Sequence, residues 1–135
     1  FRAMMRAKEI VFEPEENTAQ QSSVYGKRFG NGGGVTAAVL KSMEESGVDT
    51  SDFKIEKCAG ADECKKALLL MKAGKLDVDF IEGMMCEGGC VGGPSRHKNE
   101  QFFKKDRDKL IQAADARGVH ENLDKFDASK VGMHK

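Results

Sequence analysis

The feature that most constrains this chain is a glycine-rich segment that carries two cysteines four positions apart. The segment runs from Phe80 to Pro94 and contains Cys86, Cys90 and five glycines. Glycine permits a positive φ, so a turn of this composition can fold closely around a bound group. Its backbone N–H groups can also approach sulfur and offset the charge of thiolates and bound sulfides. Both properties are typical of an iron–sulfur site, and Met84 and Met85 would add an apolar wall.

Other chemistries also place two cysteines in a turn. Cys86 and Cys90 could be inert buried thiols, or they could form a local disulfide, which a reducing compartment disfavours. They could also supply half of a zinc site together with Cys58 and Cys64, although zinc sites use tighter pairs more often. We predict structural roles for Cys58, at a strand end, and for Cys64, on the apolar side of a helix. Spacing alone leaves the iron–sulfur, zinc and structural interpretations open.

Composition excludes several classes of function. The 135 residues include 22 Lys and Arg and 22 Asp and Glu, so the formal net charge is zero. Nucleic-acid binding depends on surplus cationic charge, so no nucleic-acid partner is expected. No apolar run is long enough to span a bilayer and no signal peptide is evident, so no membrane association is expected. Four cysteines are too few for a disulfide scaffold, which favours a reducing, cytoplasmic location.

The spacing of apolar residues predicts an α/β fold in which helices cover a small sheet. Alternation predicts strands over 53–58 and 77–82. The first predicted helix covers 1–13 and is ended by Pro14, with a strand over Glu9–Glu13 as the alternative, and the second runs from Val35 to Gly47. The third runs from Asp62 to Gly74, and its apolar side carries Cys64, Ala67, Leu68 and Met71. The fourth is Asn99–Arg117, followed by Gly118, and its inner side carries Phe103, Leu110 and Ala114. Residues 15–28 predict a polar loop, and 119–135 predict a polar tail with one turn near Leu123 and Phe126.

Smaller signals surround the cysteine segment. The glycines from Gly30 to Gly34 precede a helix and could bind phosphate, but no Lys-Ser/Thr pair follows them, and a tight turn packed on the cysteine lobe explains them better. Glu82 is expected to be a hydrogen-bonding scaffold residue. Glu87 is expected to face solvent, because a buried carboxylate beside thiolates is costly. The three histidines, His97, His120 and His134, are expected at the surface, and metal ligation by His97 is a minor alternative.

The cysteine segment resembles the last signature of the iron-only (FeFe) hydrogenases. That signature reads aromatic or aliphatic, x, Glu, x, Met, x, Cys, x, x, Gly, Cys, x, x, Gly, and residues 80–93 match it. Residues 29–38 resemble the family's Phe-Gly-x-x-Gly-Gly-Val segment, and residues 54–78 follow in the family's order. The resemblance covers roughly residues 1–97. The form of the segment, with Glu87 after the first cysteine and Pro94-Ser95 after the glycine pair, is similar to that of the monomeric bacterial enzymes that bear ferredoxin domains.

The resemblance implies a role for each matching residue. Cys86 corresponds to a ligand of the 4Fe-4S cubane of the active-site H-cluster, and Cys90 to the cysteine that bridges the cubane to the diiron subsite. Met84 corresponds to a methionine packed against the diiron end, and Gly88 and Gly89 belong to the cofactor-binding turn. The implied activity is reversible reduction of protons to dihydrogen, with electrons from ferredoxin. The protein anchors the cluster, tunes its potential and excludes solvent.

The sequence departs from the family at two places. The family's other two cluster cysteines lie in a Thr-Ser-Cys-Cys-Pro segment and a Met-Pro-Cys segment, and neither occurs here. A cubane needs four protein ligands, so we expect a C-terminal piece of a longer chain, inactive and without metal by itself, with a mobile 83–97 loop. Many members also continue with Gly-Gly-Gln-Pro, where this chain has Pro94-Ser95-Arg96-His97. A non-catalytic iron–sulfur sensor and a zinc or structural module remain the alternatives.

These expectations divide the chain into three parts. Residues 1–28 form an N-terminal helix and polar loop, 29–97 form a cluster-binding lobe, and 98–135 form a C-terminal helix and tail. The middle part holds both matching motifs, so the functional residues are expected there.

Overall fold

The computed structural model describes residues 2–11, 22–94, 96, 100–124 and 132, and it describes residues 2 and 100–104 by their backbone alone. Two strands and six α-helices are present in these ranges. The elements follow one another as α1 (Arg2–Ala7), α2 (Val24–Arg28), α3 (Gly34–Glu45), β1 (Ile55–Ala59), α4 (Ala61–Lys72), β2 (Phe80–Met84), a 3-10 turn (Cys90–Gly92), α5 (Glu100–Gln112) and α6 (Val119–Asp124).

The sheet of the described chain consists of β1 and β2, which pair in parallel from Ile55 with Phe80 to Ala59 with Met84. Helix α4 connects the two strands and packs against both. Parallel strands need such a crossover, and the result is one β-α-β unit. The prediction of an α/β fold with a small sheet is therefore confirmed.

Glycines end α3 and α4 where the sequence predicts that they should. Gly47 and Gly74 have φ of +73° and +64° and follow the last helical turns. At both helix ends the glycine N–H and the next N–H donate back to carbonyl groups of the helix. After α3, for example, the Gly47 N–H donates to the Glu44 carbonyl and the Val48 N–H to the Met43 carbonyl, at 2.9 Å each. This is the Schellman arrangement, which favours glycine because the left-handed conformation strains other residues.

The core of the described residues is small and partly polar. Ala38, Cys58 and Ala67 are its buried apolar side chains, and Thr36 and Glu82 are buried as well. The predicted apolar side of α4 is only partly covered, since Ala67 is buried but Leu68 and Met71 are 54% and 51% exposed. The helical period of the sequence is therefore right, whereas the expected burial of the whole stripe is wrong for the described structure.

The N-terminal part differs from the prediction. Helix α1 ends at Ala7, well before position 13, and a turn with Glu9 at a φ of +51° follows it. Ile10 and Val11 are exposed and belong to no strand, and residues 12–21, including Pro14, lie outside the described residues. The predicted loop over 15–28 is wrong at Val24–Arg28, where α2 forms because it packs on α3 and α5.

The C-terminal helix is shorter than predicted. It ends at Gln112, not Arg117, because the chain then extends so that the backbone carbonyl of Asp115 accepts a 2.7 Å hydrogen bond from the Val24 N–H. Leu110 is 66% exposed, so its predicted inner position is wrong, and the Phe103 side chain and Phe126 lie outside the described residues. The predicted turn near Leu123 is present as α6.

Two further observations concern the chain as a whole. None of the helices in the described ranges has the length and apolar character needed to cross a membrane. Packing of α6 on α3 and of α5 on α2 connects all three predicted parts of the chain. The boundaries at 28 and 97 stay predictions.

Glu45 ties α6 to the end of α3, and this contact should respond to pH. Its carboxylate accepts hydrogen bonds from the backbone N–H groups of His120 (2.8 Å) and Val119 (3.1 Å). The His120 N–H is the main cause that lowers the pKa of Glu45 below its usual 4.5. A carboxylate whose pKa is lowered on folding stabilises the protein above its unfolded pKa and loses that effect as pH falls through the folded pKa.

We therefore predict that Glu45→Gln lowers the urea midpoint of unfolding at neutral pH, and that the difference from wild type shrinks as the pH falls below 4.5. Glu44→Gln is the matched control, because the Glu44 side chain is 70% exposed and pairs with Lys41 on the surface. A difference that grows toward acid pH would contradict the assignment.

Candidate functional site

Both cysteines of the candidate site lie directly after the carboxyl end of β2. Met84 ends the strand, and its carbonyl accepts a 2.8 Å hydrogen bond from the Gly60 N–H, at the corresponding end of β1. The chain bends at Met85 and Cys86, and Cys90 begins the 3-10 turn. Ligand sites of α/β proteins occur at this end of parallel strands.

The turn between the cysteines is held by its own backbone. The N–H of Gly89 donates to the Cys86 carbonyl at 2.9 Å, and those of Gly92 and Gly93 donate at 3.0 Å to the carbonyls of Gly89 and Cys90. These three N–H groups are thus used within the turn. The assignment of Gly88 and Gly89 to a cofactor stays a prediction, and what the structure shows is their effect on chain conformation.

The cysteine turn packs on the glycines before α3. Asn31 pairs with Gly89 in a short antiparallel bridge, and the N–H of Gly32 donates to the Gly88 carbonyl at 3.3 Å. A Cβ on Gly89 would overlap the Gly30 carbonyl oxygen and lie 2.8 Å from the Gly32 nitrogen. The residue therefore has to be glycine, and the expectation that Gly30 to Gly34 form a tight turn against this lobe is confirmed.

Glu82 connects β2 to the N-terminus of α3. One of its carboxylate oxygens accepts from the Gly33 N–H at 2.8 Å, and the other accepts from the Thr36 N–H at 3.0 Å and from the Thr36 hydroxyl. Glu82 is 4% exposed and Thr36 is 2% exposed. The carboxylate lies at the positive end of the helix dipole, where an anion is stabilised. An internal carboxylate thus occupies the position that the sequence offered to phosphate.

The two candidate ligands differ in their exposure. Cys86 is half-buried, and a Cβ on Gly93 would lie 3.5 Å from its sulfur, so the thiol packs against glycine backbone. Cys90 is exposed, and both thiols are free. Met84 is half-buried at the end of β2, whereas Met85 is 72% exposed and forms no apolar wall in the described chain. Glu87 faces solvent as expected.

The donor chemistry of this turn fits an iron–sulfur cluster. Soft thiolates are the protein ligands of such clusters. A Cβ on Gly93 would lie 3.5 Å from the Cys86 sulfur, so glycine at this position leaves space beside that sulfur that a larger side chain would fill. Two ligands are nevertheless half of what a cubane needs, and the described residues contain no group of three or more His, Cys, Asp or Glu side chains that could hold a metal.

The other two cysteines have structural positions. Cys58 is buried in β1, and this burial, assisted by the nearby Cys64, raises the pKa of its thiol. The Cys64 thiol lies 3.6 Å from the Met84 carbonyl and 3.9 Å from the Cys58 carbonyl, to which it can donate. Both side chains therefore serve packing near the carboxyl ends of β1 and β2, in the structural roles that the sequence predicts.

Sequence reasoning missed two features near the turn. Thr36 looks like an ordinary residue in the first turn of a helix, and its only sequence signal is a hydroxyl at that position. A cleft of about 580 Å³ opens beside the turn, lined in part by Glu87, Gly88 and Val91 and by Arg28 and Arg107. Neither Cys86 nor Cys90 lines it.

His120 is exposed and lies 3.2 Å from the Ser42 hydroxyl, whereas His97 and His134 fall outside the described residues.

The comparison with protein families identifies the family of this chain. Residues 1–94 match the family model described as the C-terminal domain of the iron-only hydrogenase large subunit. The chain belongs to this hydrogenase family. The match covers more than half of the chain and contains β2, the turn that carries both cysteines and the glycines before α3, so the predicted resemblance is confirmed up to Pro94. A search of curated proteins found no match.

The close contact of the two glycine segments in this hydrogenase domain can be tested with a matched pair. Gly88 and Gly89 have φ of +76° and +91°, but only a Cβ on Gly89 would meet other atoms. We predict that Gly88→Ala costs about 1 kcal/mol from its left-handed backbone, and that Gly89→Ala costs several kcal/mol because the docked segments must separate. Urea unfolding of both variants measures the difference, and equal costs would contradict the docking.

Proposed function

We propose that this chain forms part of the active site of an iron-only hydrogenase, in which Cys86 and Cys90 ligate an iron–sulfur cluster. The observation that carries the proposal is the pair of free thiols, one half-buried and one exposed, on a glycine turn at the end of β2. The membership of residues 1–94 in the hydrogenase family supports it. The proposed reaction is the reversible reduction of protons to dihydrogen.

Each residue has a defined task in this proposal. Cys86 would hold the 4Fe-4S cubane, and Cys90 would hold the cluster next to its diiron subsite. Met84, at the last position of β2, would supply an apolar contact to the diiron end. When bound, the cluster supplies the electron transfer and the metal chemistry. The protein would hold the two sulfurs on a turn that three backbone hydrogen bonds close.

The remaining ligands of the cluster come, in this proposal, from another part of the hydrogenase polypeptide. A cubane takes four cysteine ligands, and this chain contributes two. The exposed Cys90 is then covered by that other part, which excludes water from the sulfur. Ferredoxin is the proposed electron partner and the cytoplasm the proposed location, since free thiols at four cysteines suit a reducing compartment.

The ligand assignment predicts a clear difference between cysteines. In the full-length protein loaded with iron and sulfide, Cys86→Ser and Cys90→Ser should each lower the metal affinity strongly. A change in a residue that only supports a ligand lowers it roughly 10- to 100-fold, and loss of a ligand itself should lower it further. Cys64→Ser is the matched control, because a hydroxyl can replace its thiol as the donor toward the Met84 carbonyl. Iron analysis and electron paramagnetic resonance measure cluster content.

Three outcomes separate this proposal from its alternatives. Cluster loss in Cys86→Ser and Cys90→Ser, together with dihydrogen evolution from reduced viologen by the matured wild type, supports the hydrogenase. A cluster without dihydrogen turnover indicates a sensor. Stoichiometric zinc in place of iron, lost equally in Cys58→Ser and Cys64→Ser, overturns the proposal in favour of a zinc module.

A further inference from the structure

Glu82 is a buried carboxylate that takes no part in the proposed ligation. It is 4% exposed, and removing an ionised group from water costs free energy unless donors compensate. Three donors from Gly33 and Thr36 meet its two oxygens, the pattern that an ionised, acceptor-only carboxylate requires. A costly charge is therefore kept in the interior by a set of partners that lie 46 and 49 positions away in the sequence.

The partners of Glu82 lie on the segment that carries the cysteine turn. Gly33 and Thr36 follow the segment Gly30-Asn31-Gly32 in the chain, and the carbonyl of Gly30 accepts a 3.4 Å hydrogen bond from the Val91 N–H. Glu82 itself lies two positions before the end of β2, which leads into Cys86. The cysteine turn is thus attached twice to the same base, the segment from Gly30 to Thr36. The first attachment is through β2 and Glu82 at the start of the turn, and the second is through the contacts of the turn with Gly30 to Gly32.

We propose that Glu82 is a positioning residue for Cys86 and Cys90, because its bonds to α3 keep the end of β2 at a constant distance from the glycines on which the turn rests. This inference rests on the proposed function. The buried negative charge has a second consequence in the loaded protein. Glu82 lies four residues before Cys86, and a negative charge near a cluster disfavours the addition of an electron, so we expect the charge to lower the reduction potential of a cluster held there.

Thr36 offers the cleanest test of the positioning role. Thr36→Val keeps the shape of the side chain and removes the hydroxyl that donates to Glu82, whereas Thr36→Ser keeps the hydroxyl. Ala67→Gly is the control for general loss of stability, because Ala67 is buried on α4 and belongs to neither the turn nor its base. Each variant is made in the full-length protein.

The first measurement uses protein without metal and follows alkylation of each cysteine by mass spectrometry. Thr36→Val and Glu82→Gln should raise the rate at the half-buried Cys86 several-fold relative to the exposed Cys90, and Thr36→Ser should restore the wild-type ratio. Ala67→Gly should leave the ratio unchanged. An unchanged ratio in Thr36→Val and Glu82→Gln overturns the proposal, even if cysteine substitutions abolish cluster binding and so support the proposed function.

The second measurement is a redox titration of the loaded protein, followed by electron paramagnetic resonance. Glu82→Gln should shift the reduction potential to a more positive value, whereas Thr36→Val, which keeps the charge, should shift it less and broaden the signal. Equal potentials in wild type and Glu82→Gln overturn the electrostatic effect. If wild-type protein takes up no cluster, the proposed function fails, and the alkylation ratio still decides whether Glu82 positions the turn.

Discussion

The hydrogen bonds that the N-terminus of α3 gives to the Glu82 carboxylate are the interaction on which the functional end of this molecule depends. The sheet has two described strands and few buried apolar side chains, so hydrophobic burial alone offers little support to the cysteine turn. A buried carboxylate without partners would be strongly destabilising. Three donors and the positive end of a 12-residue helix make its position favourable instead.

The position of the two cysteines follows from this interaction. Once β2 is held against α3, the chain that leaves β2 meets the segment Gly30-Asn31-Gly32, and only glycine at position 89 lets the two backbones approach. The turn then closes on its own carbonyl groups and leaves one thiol half-buried and one exposed. A domain of the iron-only hydrogenase family thereby presents two sulfurs from a short segment, which is what a cluster shared with another part of the polypeptide requires.

The sequence predicts the local features well because their causes are local. Gly47 and Gly74 end helices since only glycine readily takes the left-handed conformation there, and alternation over 53–58 and 77–82 marks β1 and β2 within a few residues. The candidate ligands were also evident, because Cys86 and Cys90 lie in a recognisable motif. Glu82 was correctly expected to be a scaffold residue.

Features that depend on distant partners could not be predicted in the same way. Helix α2 has a polar sequence and forms against α3 and α5, and α5 ends early because Asp115 pairs with the segment around Ser23. Periodicity correctly predicts helices at Leu68 and Leu110, but it cannot show whether another element covers their side chains, and both are exposed. Beyond a hydroxyl in the first turn of a helix, Thr36 gives no signal of its role, since its partner Glu82 lies 46 residues further along.

The central claim is that Cys86 and Cys90 hold the same iron–sulfur cluster. Anomalous X-ray diffraction at the iron absorption edge, from crystals of the loaded full-length protein, tests it most directly. The account predicts iron within bonding distance of both sulfurs, beside the turn that follows β2. Iron bound elsewhere in the chain, with both thiols free, would contradict it.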